Sequence, residues 1–408
     1  MKALKNKSTV LLVFALAAAL LLSACGTAAI LASQDSDNSA GLSADNSGNV
    51  VSYVALSAEG TQSSVQSVSS SDAFSEAFSN RDLSGDYDTA EAVTISLNGT
   101  SASASSDSVQ ISGSTVTITA AGTYILSGTL DNGSIIVNAT KDDKIQLVLD
   151  GVTIHSEAFA AIYVVQADKV FITLAEGSVN TLTNGGSFVQ IDDSDVDAVI
   201  FAKDDVTLNG SGMLVISSPA GHGIVGKDEV TITGGTYEIS SAKCAIRGKD
   251  SIAISDGTFT LKAGTDGLHA ENNDDDTLGN IYIAGGSFTI TASDDGVHAN
   301  TLLQIDGGSL SIFAAEGLEA TYIQINGGDI TISMGAGDTD GVDSNGNIVV
   351  NGGTIRVSGQ STFDYDGTAK YNGGTIIVNG RQVSSIPNQI MGGGRGGMNG
   401  GRGGRGGW

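Results

Sequence analysis

One ten-residue pattern recurs through the second half of the chain and limits what it can fold into. Val230-Thr-Ile-Thr-Gly-Gly-Thr-Tyr-Glu-Ile239 aligns with Ile281-Tyr-Ile-Ala-Gly-Gly-Ser-Phe-Thr-Ile290 and with Leu303-Gln-Ile-Asp-Gly-Gly-Ser-Leu-Ser-Ile312. Further copies lie at Ile323–Ile332, Ile348–Val357 and Lys370–Val378. The closing glycine of each turn falls at Gly235, Gly257, Gly286, Gly308, Gly328, Gly353 and Gly374. Apolar and polar residues alternate on both sides of the turn, which is the period of a strand. A third short strand follows: Gly267-Leu-His-Ala270, Gly296-Val-His-Ala299, Gly317-Leu-Glu-Ala320 and Gly341-Val-Asp-Ser344. Three short strands in a coil of about 22 residues predict an all-β chain built as a right-handed parallel β-helix. A leucine-rich repeat has a similar period, but its asparagine-and-leucine ladder is absent. A β-sandwich would not repeat a motif in this way.

The repeat weakens upstream without vanishing. Val199–Gly210 aligns with Gly223–Gly234, and strands of the same length with turn signals continue back to residue 93. The expectation is about a dozen coils over 91–385, capped at the N-terminal end around 91–130, since open sheet edges invite aggregation. Aromatic residues are only 5% of the chain, so columns of Val, Ile and Leu must fill the interior. Tyr237, Phe259, Phe288, Leu310, Ile330 and Ile355 share one column after the glycines. Core or ladder packing is the ordinary reading of that column, ahead of an exposed sugar platform.

The termini read differently. Three lysines, Lys2, Lys5 and Lys7, precede an apolar run at Val10–Leu22 that is too short to span a bilayer but suits an export signal. Leu22-Ser-Ala-Cys25 resembles the bacterial lipobox, which makes 1–24 a lipoprotein signal peptide and Cys25 the lipidated residue. Residues 25–90, rich in Ser, Ala, Asp and Gly, read as a flexible spacer. Residues 386–408 read as a disordered Gly/Arg tail. The protein is therefore expected to be exported, on the extracellular face of the cell envelope, touching the membrane through its lipid anchor only. Two cysteines supply neither a disulfide framework nor a cysteine-based metal site. Cys244 reads as a buried structural thiol.

The charge is lopsided: residues 25–390 hold all 45 acidic residues against 13 basic ones, a net charge of −32. Such a body repels nucleic acid and attracts cations. In a β-helix, equivalent positions of successive coils stack ~4.8 Å apart, so the repeat alignment doubles as a surface map. Asp266, Asp295, Glu316 and Asp340 precede the third-strand glycine, and His269, His298, Glu319 and Asp343 lie two residues after it. Glu271 aligns with Asn300, Thr321 and Asn345, and Asp294 and Asp338 sit just upstream. The longest coil adds Asp274, Asp275 and Asp276. Stacked carboxylates repel unless neutralised, and a row of hard cations would do that. Calcium takes 6–8 oxygen ligands, which this set can supply, although Asp-Gly is also ordinary turn chemistry. The aligned His269 and His298 could hold zinc, but stacking or sugar contact is the commoner use of such a pair. His155 and His222 have no evident partner. Lys243, Arg247 and Lys249 form a basic island beside the acids, read either as a solvated rim or as a contact for a carboxylated sugar.

At these motifs the chain resembles the bacterial cell-surface carbohydrate-binding lipoproteins, a family with a polysaccharide-lyase-like (pectate-lyase-like) parallel β-helix. The resemblance runs through Val116–Gly128, Ile145–Ile154, Ile162–Asn180, Ala202–Gly210 and the 223–380 repeats. It implies Ca2+ on the flank of the helix and pectin-like or cellulosic ligands. The chain departs from the family pattern at Lys243-Cys-Ala-Ile-Arg-Gly-Lys-Asp250, where relatives tend to show an Asp-Asp-Gly signature, so calcium is not expected at that coil.

Three functions fit this reading. The first is calcium-dependent, non-catalytic binding of acidic polysaccharide such as polygalacturonate, in which calcium bridges two sets of carboxylates. The second is a β-eliminating lyase, which needs a base beside the metal, with Arg247, Lys249 and Lys262 as candidates. The third is a structural adhesin that calcium merely stiffens. Binding is favoured, because no base–metal pairing and no repeat-breaking loop stand out.

Overall fold

The computed structural model describes residues 50–53, 66–69, 74, 77–335 and 339–389 of the 408-residue chain. Cys25, Asp338 and the 390–408 tail lie outside the described residues. Residues 93–378 wind into a parallel β-solenoid of about eleven turns with almost no helix.

Each full coil contributes one strand to each of three stacks. The first stack includes Lys169–Leu174, Asp205–Gly210, Glu229–Ile232, Ser251–Ile254 and Asn280–Ile283. The second includes Met213–Ser218, Thr236–Ser241, Thr258–Ala263, Ser287–Ala292, Ser309–Ala314 and Asp329–Met334. The third includes Ile162–Gln166, Ala198–Ala202, His222–Gly226, Ile246–Gly248 and Leu268–Ala270. It continues into the first parts of Asp295–Ile305, Glu316–Ile325 and Asp340–Val350.

The double glycines turn the chain from the first stack into the second. All seven closing glycines have positive φ, from +77° at Gly353 to +138° at Gly257. A Cβ on Gly353 would lie 2.7 Å from the carbonyl oxygens of Gly327 and Gly328, so both the backbone angle and the close approach of the coil below require glycine. Side-chain amides bind successive coils together at the same corner. Asn326 donates to Asp306 at 2.6 Å, Asn351 to Asn326 at 2.7 Å, and Asn372 to Asn351 at 2.7 Å.

Aliphatic columns fill the interior, as the composition requires. Ile232, Ile254, Ile283, Ile305, Ile325 and Val350 are in register and fully buried. The aromatic column is core: Tyr237 and Phe259 stack at 5.0 Å, and Phe259 and Phe288 at 4.5 Å, with almost no exposure. Antiparallel hairpins close both ends, Val93–Gly99 with Ala102–Ala104 and Val109–Ser112 with Thr115–Ile118 at one, Thr375–Val378 with Arg381–Val383 at the other.

Ordered contacts also occur outside the expected 91–385 solenoid. Within the expected spacer, Val50–Tyr53 pairs antiparallel with Gln66–Ser69, and residues 79–86 lie as a strap across the outer side of the first stack. A one-turn helix, Asn80–Leu83, starts on a Ser79/Asp82 capping box. Lys169 Nζ lies 2.8 Å from the buried Asp82 carboxylate, and Thr207 Oγ1 donates to it at 2.5 Å. Gln146 and Asn209 donate to strap carbonyls. Phe74 stacks on Tyr282 at 4.5 Å. Polar spacer composition hid most of these contacts, since apart from the Phe74 stack they are polar bonds made by residues that also suit a linker. At the other end, Gln389 binds Thr362 and Ser361, and Ile386 is buried, so the first residues of the expected tail pack on the last coil.

Candidate functional site

The third stack carries the chemistry, on two adjacent columns. One runs in register through Ile136, Tyr163, Phe201, Val225, Arg247, His269, His298, Glu319, Asp343 and Asp364. The other lies three residues earlier in each coil and reads Ala198, His222, Cys244, Asp266, Asp295, Glu316, Asp340 and Ser361. The alternation of a strand sends the residue between them, such as Leu268 or Val297, into the core, where both are fully buried.

Two carboxylate–imidazole pairs repeat one coil apart. His269 Nδ1 lies 2.8 Å from Asp266 Oδ2, and His298 Nδ1 lies 2.8 Å from Asp295 Oδ2. The two rings are 4.7 Å apart. His298 Nδ1 is also 3.1 Å from Glu319. Burial alone would lower the His298 pKa, but the Asp295 hydrogen bond and the Glu319 charge raise it to about 9, so this ring is cationic at neutral pH.

Downstream the columns become purely acidic. Glu316, Glu319 and Asp343 have carboxylate oxygens within 4.8 Å of one another. Among the described residues no lysine or arginine pairs with any of them. Burial, then the charges of Asp295 and Glu319, push Glu316 up to about 8. Burial and then Asp340 push Asp343 up to about 6. Burial also raises Glu319, against the pull of His298. A second oxygen cluster joins Asp266, Asp294 and Asp295, and burial with Asp295 and Asp266 raises Asp294. Hard oxygen donors crowded against their own charge are what a divalent cation relieves, so this donor set fits calcium.

The acids of the long coil do not join the columns. Asp274 pairs with Lys249 at 2.7 Å, Asp275 accepts from Thr277, and Asp276 is exposed. Glu271 sits between Arg247, at 3.3 Å, and His269, at 3.5 Å. The basic island is thus neutralised by the next coil, and Lys243 pairs with Asp197 at 2.6 Å. Lys262 stands exposed on the second stack, away from the acid columns.

Sequence reasoning set His222 and Cys244 apart, but the register puts both on the acid column. The backbone N–H of Cys244 donates to His222 Nδ1, and His222 Nε2 lies 3.4 Å from Asp197. Aligning His222-Gly-Ile-Val with Asp266-Gly-Leu-His would have shown it.

Fold and site together define a parallel β-solenoid with an acidic flank. A family model described as carbohydrate-binding domain-containing protein matches residues 112–367, and the chain belongs to that family. It is 36% identical over 137 residues to a carbohydrate-binding domain-containing protein of Acetivibrio thermocellus, covering 33% of this chain and 48% of that one. The chain thus spans about half the length of this curated relative. It also resembles the solved structure of a polysaccharide lyase-like protein from C. thermocellum, determined as a gadolinium derivative. There the identity is 30% and the TM-score 0.54, over 60% of this chain and 97% of the other.

Proposed function

We propose that this protein binds acidic polysaccharide without cleaving it, through calcium on the third stack, at the outer face of the cell envelope. The observation that carries the reading is the Glu316–Glu319–Asp343 cluster, three crowded carboxylates lacking a lysine or arginine partner among the described residues. Calcium held there supplies positive charge that a uronate carboxylate can share. The cationic His298 adds a hydrogen-bond donor for the same anion. The lipobox-like run Leu22-Ser-Ala-Cys25 supports anchoring at the surface.

Elimination is the weaker reading. A base working near neutral pH needs a lowered pKa. The Asp274 hydrogen bond instead raises Lys249, Arg247 is engaged by Glu271, and Lys262 lies on another face.

The test mixes the full chain carrying Cys25→Ser with insoluble polygalacturonate, with and without a chelator, and follows depletion together with unsaturated-uronide absorbance. Calcium-dependent depletion without absorbance is expected. Rising absorbance would make the protein a lyase. Calcium-dependent melting with no depletion would leave a stiffened structural rod.

A further inference from the structure

We propose that Cys244, Asp266 and His269 form a site for one transition-metal dication of the zinc class, chemically separate from the oxygen-only end of the columns. Three donor types converge there from two successive coils. Cys244 Sγ is 3.3 Å from Asp266 Oδ2, His269 Nδ1 is 2.8 Å from the same oxygen, and all three ligand atoms lie within 4.8 Å of one another. A thiolate and an imidazole are poor calcium ligands and good zinc ligands. With one carboxylate they complete three of the four corners of a tetrahedral site, leaving one for water or a ligand oxygen.

The surroundings are those of a built site. Cys244 and Asp266 are 4% and 5% exposed, so the donors are shielded from bulk water. The His269 side chain, 14% exposed, offers the way in. His269 Nε2 faces Glu271 at 3.5 Å, a carboxylate placed to orient the ring behind a metal bound at Nδ1. The Cys244 backbone is held by His222, and Sγ also lies 3.2 Å from Thr265 Oγ1. Metal binding replaces the contact between His269 Nδ1 and Asp266 and releases the thiol proton to solvent.

The cysteine count alone led to no cysteine-based metal site being expected, and this proposal departs from that expectation. What the register adds is a single cysteine at the place where the acid column begins. The column therefore grades from sulfur and nitrogen donors at Cys244 to oxygen only at Glu316, Glu319 and Asp343. The proposal does not depend on the polysaccharide reading, because its readout is the metal–sulfur bond itself.

The test uses the full chain with Cys25→Ser, which leaves Cys244 as the only thiol, and titrates it with cobalt(II). A near-ultraviolet thiolate-to-cobalt charge-transfer band should grow to one equivalent, persist in excess calcium and vanish when zinc is added. Cys244→Ser should abolish the band. His269→Ala should weaken cobalt binding by at least about tenfold, since loss of even an outer partner costs that much. Should Cys244→Ser fail to give a native circular dichroism spectrum, the alkylation rate of Cys244 in the otherwise unaltered chain decides, with stoichiometric zinc expected to slow it. Absence of the band, its survival in folded Cys244→Ser, its displacement by calcium, or an alkylation rate indifferent to zinc would each overturn the site.

Discussion

Along the third stack, one column of outward side chains serves two opposite purposes. From Ile136 to Val225 it is apolar, and from Arg247 to Asp364 it is charged, although parallel pairing of successive coils continues through both. The apolar half is covered. Residues 185–197 leave the solenoid and fold over it, packing Phe188 on the small core that holds Tyr163 and Phe201 and letting the Tyr163 hydroxyl donate to Asp192 at 2.5 Å. The charged half stays partly open, with His298 and Glu319 side chains 26% and 21% exposed. A solenoid sets position but not chemistry: each coil repeats the backbone and leaves the outward residue free to change. The first half uses that freedom for a second small core, the other half for a concentration of acidic charge that its histidines and Arg247 offset only in part.

The sharpest way to break the contrast is to exchange its consequences. Phe201→Ala, at a fully buried ring in the covered half, should cost about 3–5 kcal/mol in denaturant unfolding. Its metal response should not change. Glu316→Gln in the open half should do the reverse: a melting temperature higher by ~2 °C in chelator, as the cost of holding a buried acid against Asp295 and Glu319 is removed, and a much smaller rise on adding calcium. If both variants simply destabilise the protein, the two halves do not differ in the way described.

The pattern of recognition follows the same division. The coils, the glycine corners and the acid columns were legible because each repeats, and a repeat turns sequence distance into spatial position. Asp266, Asp295, Glu316, Asp340, His269, His298, Glu319 and Asp343 all fall on two columns of the third stack. What does not repeat was hidden. The strap through Asp82, the cover at 185–197 and the outward-turned Asp274 occur once each, and their contacts are set by tertiary packing. His222 and Cys244 were missed for a different reason: they sit in the repeat, but their residue types break its acidic signature.

Titration should sharpen the comparison next. Glu316 is raised from 4.5 to about 8 and Asp343 from 3.8 to about 6, so the folded state holds these protons more tightly than the unfolded chain. Their contribution is complete below the unfolded values and is lost as pH rises through the folded ones. His298, raised from 6.5 to about 9, loses its contribution in the same direction between those limits. Metal-free protein should therefore melt at progressively lower temperature from about pH 5 to about pH 9. On the calcium-binding function proposed above, the ion takes the deprotonated carboxylates, so adding it should flatten that slope and raise the melting temperature most at the alkaline end. Glu316→Gln should remove part of the slope, whereas Phe201→Ala should shift the curve down without changing its shape.

The smallest effect is expected at the junction itself. Arg247 stands between Val225 and His269, and its ion pair with Glu271 at 3.3 Å is about one-third exposed on both sides. Screened pairs of this kind contribute ~1 kcal/mol or less. Arg247→Ala should therefore move stability little. It frees Glu271, however, which keeps His269 Nε2 and the Asn273 side chain as partners. A loss of polysaccharide binding in Arg247→Ala larger than in Glu316→Gln would mean that the polymer is gripped at the basic junction, and the division between the two halves would then mark the ligand site itself.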